Sequence, residues 1–127
     1  MGRVVHFEIH AADPDRARLF YEHVFGWNLD PWGAHGYWLV RTGDAAPGID
    51  GGLVPRRGDE PQPGQALNAF VCTVEVDDVE AAVERAMDAG GDLLVARHAI
   101  PGVGWLAYLH DSEGNTLGVM QEDRAAS

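Results

Sequence analysis

Near the start of the chain, His6, Glu8 and His10 alternate with Val5, Phe7 and Ile9. A period of two puts the three polar side chains on one face of a strand and the apolar ones on the other. Successive polar Cα atoms on that face lie about 6.6 Å apart, at roughly 3.3 Å of rise per residue. An imidazole with an ordinary pKa of about 6.5 suits proton transfer near neutrality. His6 is therefore a candidate general base or ligand-orienting group, with Glu8 as its natural orienting partner. The same residue types ligate divalent metals. Two side chains of one strand reach a common ion at about 2.0–2.2 Å only by leaning together, and one strand rarely completes a site. The plainer reading is the polar lining of a wet cleft, hydrogen-bonded to a neighbouring strand. Either way, His10 joins His6 and Glu8 as a candidate pocket residue.

Four Trp and three Tyr are a generous allotment for 127 residues. Trp27, Trp32, Tyr37 and Trp38 cluster in the first half, Trp105 and Tyr108 in the second. On a concave sheet such rings make flat apolar walls with a polar edge, suited to a planar or ring-bearing ligand. Trp32, Trp38, Phe70, Thr73, Trp105 and Tyr108 are the candidate ligand contacts; the alternative for any one ring is a place in the core or in a dimer seam. The remaining histidines, His23 on a helix, His35 in a loop and His98 and His110 at strand ends, have no spacing that demands a metal.

Other chemistries lack their residues. All nine basic residues are Arg, so no Lys offers a Schiff base. Ser112 falls in a turn, Ser127 is the last residue, and no Gly-x-Ser-x-Gly elbow occurs. Cys72 reads as inert filler on the apolar side of a central strand. Alone, it closes no disulfide and builds no thiolate cage. Gly43, Gly48 and Gly51-Gly52 lack the strand–loop–helix setting of a phosphate cradle. A net charge of −11 repels phosphate backbones, which argues against nucleic acid. No apolar run approaches the roughly 20 residues of a membrane span, and charge enters too early for a signal peptide. A cytoplasmic protein is expected, and abundant Ala and Gly without Lys reads as a GC-rich bacterial genome.

Elements must position these residues. Val4–His10 reads as a strand. Asp13-Pro14-Asp15 reads as an N-cap with proline at the first helical position. Ala17, Phe20, Tyr21 and Val24 form one stripe, closed by Gly26. Short strands follow at 27–29, 37–41 and 52–54. A loop rich in Pro, Gly and charge spans 55–66. The pattern then recurs. Leu67–Val76 is a strand with Cys72, Val74 and Val76 on its apolar side. Asp78 caps a helix with the stripe Val79, Ala82, Val83 and Ala86, and Gly90-Gly91 ends it. Strands at 93–98, 105–110 and 116–121 complete it, the last two joined by the turn Asp111-Ser112-Glu113-Gly114-Asn115. Asp13 to Asp78 and Gly26 to Gly91 share an offset of 65, which points to duplication. The expectation is one α+β domain of two βαβββ modules, about 1–57 and 66–122, joined by the linker 58–65.

The chain resembles the vicinal oxygen chelate superfamily, which includes glyoxalase I, bleomycin-resistance proteins and extradiol dioxygenases. The resemblance is carried by Val5-His6-Phe7-Glu8-Ile9, by 13–21, by Val24-Phe25-Gly26-Trp27, by Val76-Asp77-Asp78-Val79 with Gly90-Gly91, by 100–105 and by 111–115. It implies paired modules forming a cupped mixed sheet with the helices outside, a pocket in the cup, and a homodimer. It also implies metal ligands on the first and last strand of each module. Those positions fall on His6, Val71, Gly52 and Gly118; three of the four cannot ligate. The expected protein therefore binds an aromatic or ring-bearing small molecule without the family's full metal site and without a cofactor. If a metal is present, His6 holds it, in a rearranged site with Glu8 and His10. That alternative makes the chain a glyoxalase-like lyase or isomerase, or a dioxygenase. A third reading makes the dimer itself the product, against which the aromatic excess argues.

Overall fold

The computed structural model describes residues 2–33 and 36–127. His35, read as a loop residue, lies outside them. The chain runs β1 (Phe7–Ala11), α1 (Pro14–Phe25), β2 (Asn28–Trp32), β3 (Tyr37–Arg41), β4 (Gly51–Pro55), β5 (Thr73–Glu75), α2 (Val79–Asp88), β6 (Asp92–Ile100), β7 (Gly104–His110) and β8 (Thr116–Glu122). The strands form two four-stranded mixed sheets, ordered β1-β4-β3-β2 and β5-β8-β7-β6. In each the first strand is parallel to the last and the other pairs are antiparallel. This is the expected pair of βαβββ modules.

Local chemistry sets the helix ends. Asp13 is extended and its Oδ1 accepts from the Arg16 N–H, while Pro14 starts α1 at the position where a missing N–H costs nothing. Gly26 turns left-handed at φ 70° and its N–H returns to the Glu22 carbonyl. In the second module Asp78 repeats the cap by accepting from the Ala81 N–H. The apolar stripes read from the sequence are the faces that pack: Ala17, Phe20, Tyr21 and Val24 of α1, and Val79, Ala82 and Ala86 of α2, are buried. All of these but Ala82 join Ile9, Leu29, Val40, Leu53, Ala107, Leu109, Leu117 and Val119 in one core shared by both modules. Each sheet thus has a helix-covered face and an open face.

Two expectations need correction, for one reason. The strand expected from Val4 begins at Phe7, and Val4 and Val5 are exposed. The strand expected from Leu67 begins at Thr73, and Cys72, assigned to its apolar side, is exposed. Both are parallel ladders, so each strand extends only as far as its partner. Phe7 pairs with Gly51, so residues before it face the loop that precedes β4. Thr73 pairs with Gly118, so Phe70 would meet the turn before β8 instead of a strand. A further difference is β2, which runs through Pro31 to Trp32; β2 is an edge strand, where proline's missing donor costs no ladder bond.

The modules are locked by buried polar groups at the β7–β8 turn. Asp111 Oδ1 accepts from the N–H groups of Glu113 and Asn115, and its Oδ2 accepts from the Tyr21 hydroxyl at 2.6 Å and from Asn115 Nδ2. Glu113 takes the Asp13 N–H and a fork from Arg16 at 2.6 and 3.1 Å. Arg56, just after β4, donates to the His10 carbonyl and to Asn115 Oδ1. Burial pushes the Asp111 carboxyl up, and burial together with Asp111 pushes the Tyr21 phenol well up. Burial would also raise Glu113, but the hydrogen bonds from Arg16, Asp13 and Ser112 together hold it below its ordinary value. Among the described residues, no helix is long and apolar enough to cross a membrane.

Candidate functional site

Strand parity divides the sequence-derived candidates between the two faces. Residues paired across a sheet share a face. In the first module the row Ile9–Leu53–Trp38 includes the fully buried Leu53 and lies against the helix. Trp38 is on that side, with the Arg18 guanidinium carbon 5.7 Å from its ring centroid. Trp105 behaves alike in the second module: Arg97 lies 4.4 Å over its ring, and its indole N–H donates to Asp123 at 3.0 Å. That bond holds the Asp123 carboxyl below its ordinary value. Both indoles pack against the core. They stand on the opposite face from the other candidates.

On the open face of the first module, the row Glu8–Gly52–Leu39 places Glu8 beside His6 and His10. Tyr37 and Trp32 are paired across β3 and β2 on the same face, their rings edge-on at 5.9 Å and 72°. Tyr37 reaches diagonally over β4 toward β1. Its hydroxyl lies 3.0 Å from His6 Nε2, a hydrogen bond whose direction follows the imidazole tautomer. The path is open because residue 52 is glycine: a β-carbon there would fall inside the Tyr37 phenol. Glu8 and His10 pair with each other, Nε2 to Oε1 at 3.0 Å, with both side chains nearly half exposed. Trp32 is 61% exposed, so its ring is free to receive a ligand.

The open face of the second module carries Thr73, Gly118 and Tyr108 in one row. Gly118 again makes room: a β-carbon there would stand 3.0 Å from Thr73 Oγ1 and 3.3 Å from Tyr108 Cε1. Phe70 lies just before β5, fully exposed at 99%. Thus the structure brings together His6, Glu8, His10 and Trp32 on one sheet and Thr73 with Tyr108 on the other. Tyr37 is the residue that sequence reasoning missed. It appeared only as one member of an aromatic cluster. Its signal was the shared parity of Tyr37 and Leu39 with a glycine across the ladder, legible once the β3–β4 register is known.

The residues do not fit the four-ligand metal site that the resemblance implies. Val71, Gly52 and Gly118 offer no donor atom, and His6 Nε2 is engaged by Tyr37. Among the described residues, no group of three or more His, Cys, Asp or Glu side chains is arranged to hold a metal ion. The rearranged set divides into two pairs, His6 with Tyr37 and Glu8 with His10.

Comparison with known proteins agrees with this architecture. Residues 5–120 match the model of the glyoxalase-like domain. Over 123 residues the chain is 31% identical to the candidate glyoxylase CFP32 of Mycobacterium tuberculosis, covering 94% of this chain but only 44% of that protein. The chain therefore spans less than half the length of this relative. It is also 31% identical to a glyoxylase-like domain-containing protein of Didymella fabae, covering 91% of this chain and 90% of that protein. Among solved structures, a glyoxalase-related enzyme from Fulvimarina pelagi superposes with a TM-score of 0.72 at 17% identity, over 100% of this chain and 96% of that one. A fosfomycin resistance protein from Listeria monocytogenes gives 0.70 at 14%, covering 97% and 93%. A glyoxalase/bleomycin resistance protein/dioxygenase family enzyme from Burkholderia phytofirmans gives 0.69 at 19%, covering 93% and 97%. With two βαβββ modules in hand and nearly its whole length matched, the chain belongs to the glyoxalase-like domain family of the vicinal oxygen chelate fold.

Proposed function

We propose that this protein binds an aromatic or ring-bearing small molecule on the open faces of its sheets and does so without the family's full metal site. One observation carries the reading: of the four implied ligand positions only His6 bears a donor, and that donor is already bonded to a phenol seated over one of the glycines. The working form is a homodimer in a bacterial cytoplasm, with no nucleic acid or membrane partner. Val4, Val5, Leu67 and Phe70 support the dimer, because they lie exposed on the segments leading into β1 and β5. The name glyoxylase carried by the mycobacterial relative is the ground for keeping an enzyme as the alternative, metal-dependent at His6, Glu8 and His10.

Thermal shift decides between them. The protein, stripped of metal by chelation, is heated with Ni, Zn, Co or Mn and, separately, with a panel of aromatic compounds. Stabilisation by at least one aromatic compound, with no metal response beyond that of a His6→Ala variant, is expected. Stoichiometric metal binding that His6→Ala abolishes would overturn the reading and install the lyase or dioxygenase in its place.

A further inference from the structure

The missing carboxylate of the first module has a substitute in the fold. Position 52 is glycine, and the volume a side chain would fill there is taken by the Tyr37 ring, whose hydroxyl reaches His6. We propose that Tyr37 is the polar recognition group of this site, and that the His6–Tyr37 pair takes an uncharged ring-bearing molecule by its carbonyl or hydroxyl oxygen. The inference rests on the preceding reading that the open face binds a ring-bearing compound.

Three observations set the ligand class. First, the pair serves either kind of oxygen. With the proton on His6 Nε2, the phenol accepts from the imidazole and its own O–H is left to donate to a carbonyl. In the other tautomer the phenol donates to His6 and its remaining lone pair accepts from a hydroxyl. Second, the ring wall is adjacent. Trp32 stands edge-on to Tyr37 at 5.9 Å with 61% of its surface exposed, so a planar body lying on the indole brings its edge to the phenol. Third, the local charge disfavours an anion. Glu8 lies in the row that holds Gly52, and its neighbouring cation, when His10 is protonated, is already paired with it at 3.0 Å. Arg41, at the far end of β3, is held by Asp30 at 2.9 Å. A carboxylate or phosphate on the ligand would meet Glu8, while His10 and Arg41 are already engaged by Glu8 and Asp30.

The second module shows that the glycine by itself is not the device. Gly118 also leaves room beneath a tyrosine, but the residue at the position corresponding to His6 is Val71, and the Tyr108 hydroxyl has no hydrogen-bond partner among the described residues. Among the described residues, the phenol–imidazole pair belongs to the first module alone.

The test uses 2-naphthol and 2-naphthoate, the same ring with a neutral hydroxyl or a carboxylate, titrated at neutral pH into the 15N-labelled full chain. Binding is followed by the Trp32 indole N–H resonance, assigned by its loss in Trp32→Phe. Tyr37→Phe keeps the ring in its seat and removes only the hydroxyl, so the fold is retained. The expected result is that naphthol moves the Trp32 signal, naphthoate binds at least about tenfold more weakly, and Tyr37→Phe weakens naphthol by about three- to tenfold. Equal naphthol affinity in wild type and Tyr37→Phe would overturn the inference. So would naphthoate binding as tightly as naphthol, or a probe that moves only resonances of the second module. Each of those leaves the small-molecule reading standing. If neither probe moves any resonance of either open face, both readings fail.

Discussion

Glu8 and Thr73 hold the same place in their modules, 65 residues apart, each opposite a glycine of the parallel partner strand. In the first module the space over that glycine is filled so tightly by Tyr37 that no β-carbon fits. In the second the space over Gly118 is bordered by Thr73, Tyr108 and Leu106 at 3.0–3.4 Å, close but not closed. The first tyrosine bonds to a histidine; the second has only Val71 at the corresponding position. Duplicated scaffolds let one half become specialised while the other keeps the shape. Under the proposal above, recognition falls to the first module, and the second lines its open face with Thr73 and Tyr108 but has no phenol–imidazole pair among the described residues.

The comparison depends on both modules sharing one rigid frame, so its largest perturbation is to the lock between them. Asp111→Ala strands two backbone N–H groups and the Tyr21 hydroxyl and takes one of two acceptors from Asn115 Nδ2, which together cost about 3–5 kcal/mol. Urea unfolding should show a loss of that size, with both modules unfolding together. Next comes the contrast between the glycines themselves. Gly52→Ala forces Tyr37 from its seat and should cost roughly 1–3 kcal/mol, as overpacking does. Gly118→Ala needs shifts of a few tenths of an ångström and should cost less than about 1 kcal/mol. Equal costs would remove the asymmetry on which the argument stands. A smaller contrast separates the phenols. Tyr37→Phe should lose about 0.5–1 kcal/mol, because the bond it breaks is at the surface, and Tyr108→Phe close to nothing, both read from the denaturation midpoint.

The smallest effect is in pH. Glu113, on the second module, is held below its ordinary value by Arg16 of the first despite burial. A carboxyl depressed by folding contributes stability above its ordinary value near 4.5, and that contribution is lost as pH falls through the folded value. Asp111 works in the opposite sense: raised by burial, it contributes less as pH climbs through the window above its ordinary 3.8. Glu113→Gln should therefore flatten the acid limb of stability below about pH 4.5 while leaving the loss that Asp111 brings as pH climbs above its ordinary 3.8.

Much of this architecture was legible in the residues because its signals are local. Asp13-Pro14 and Asp78 fixed the helix starts through side-chain capping, the stripes beginning at Ala17 and Val79 marked the buried faces, and Tyr37–Arg41 was read to the residue. What failed was non-local. The lengths of β1 and β5 are set by where β4 and β8 begin, which no property of Val4 or Leu67 discloses. Trp38 and Trp105 were weighed by ring type, yet parity sends them to the helix side and sends Tyr37 and Tyr108 to the open side. The 111–115 segment was recognised as a turn, but its role as the seam depended on Tyr21 and Arg16, some 90 residues away. His6 was chosen for its chemistry, and its partner emerged only when a glycine on a third strand allowed the phenol across.

The most direct test is an anomalous difference map from a crystal of the protein soaked in a zinc salt. We predict no peak within coordination distance of His6 Nε2, and phenol density at the observed 3.0 Å from that nitrogen. A zinc peak held by His6 with oxygen donors from other strands, and Tyr37 displaced from above Gly52, would contradict the account.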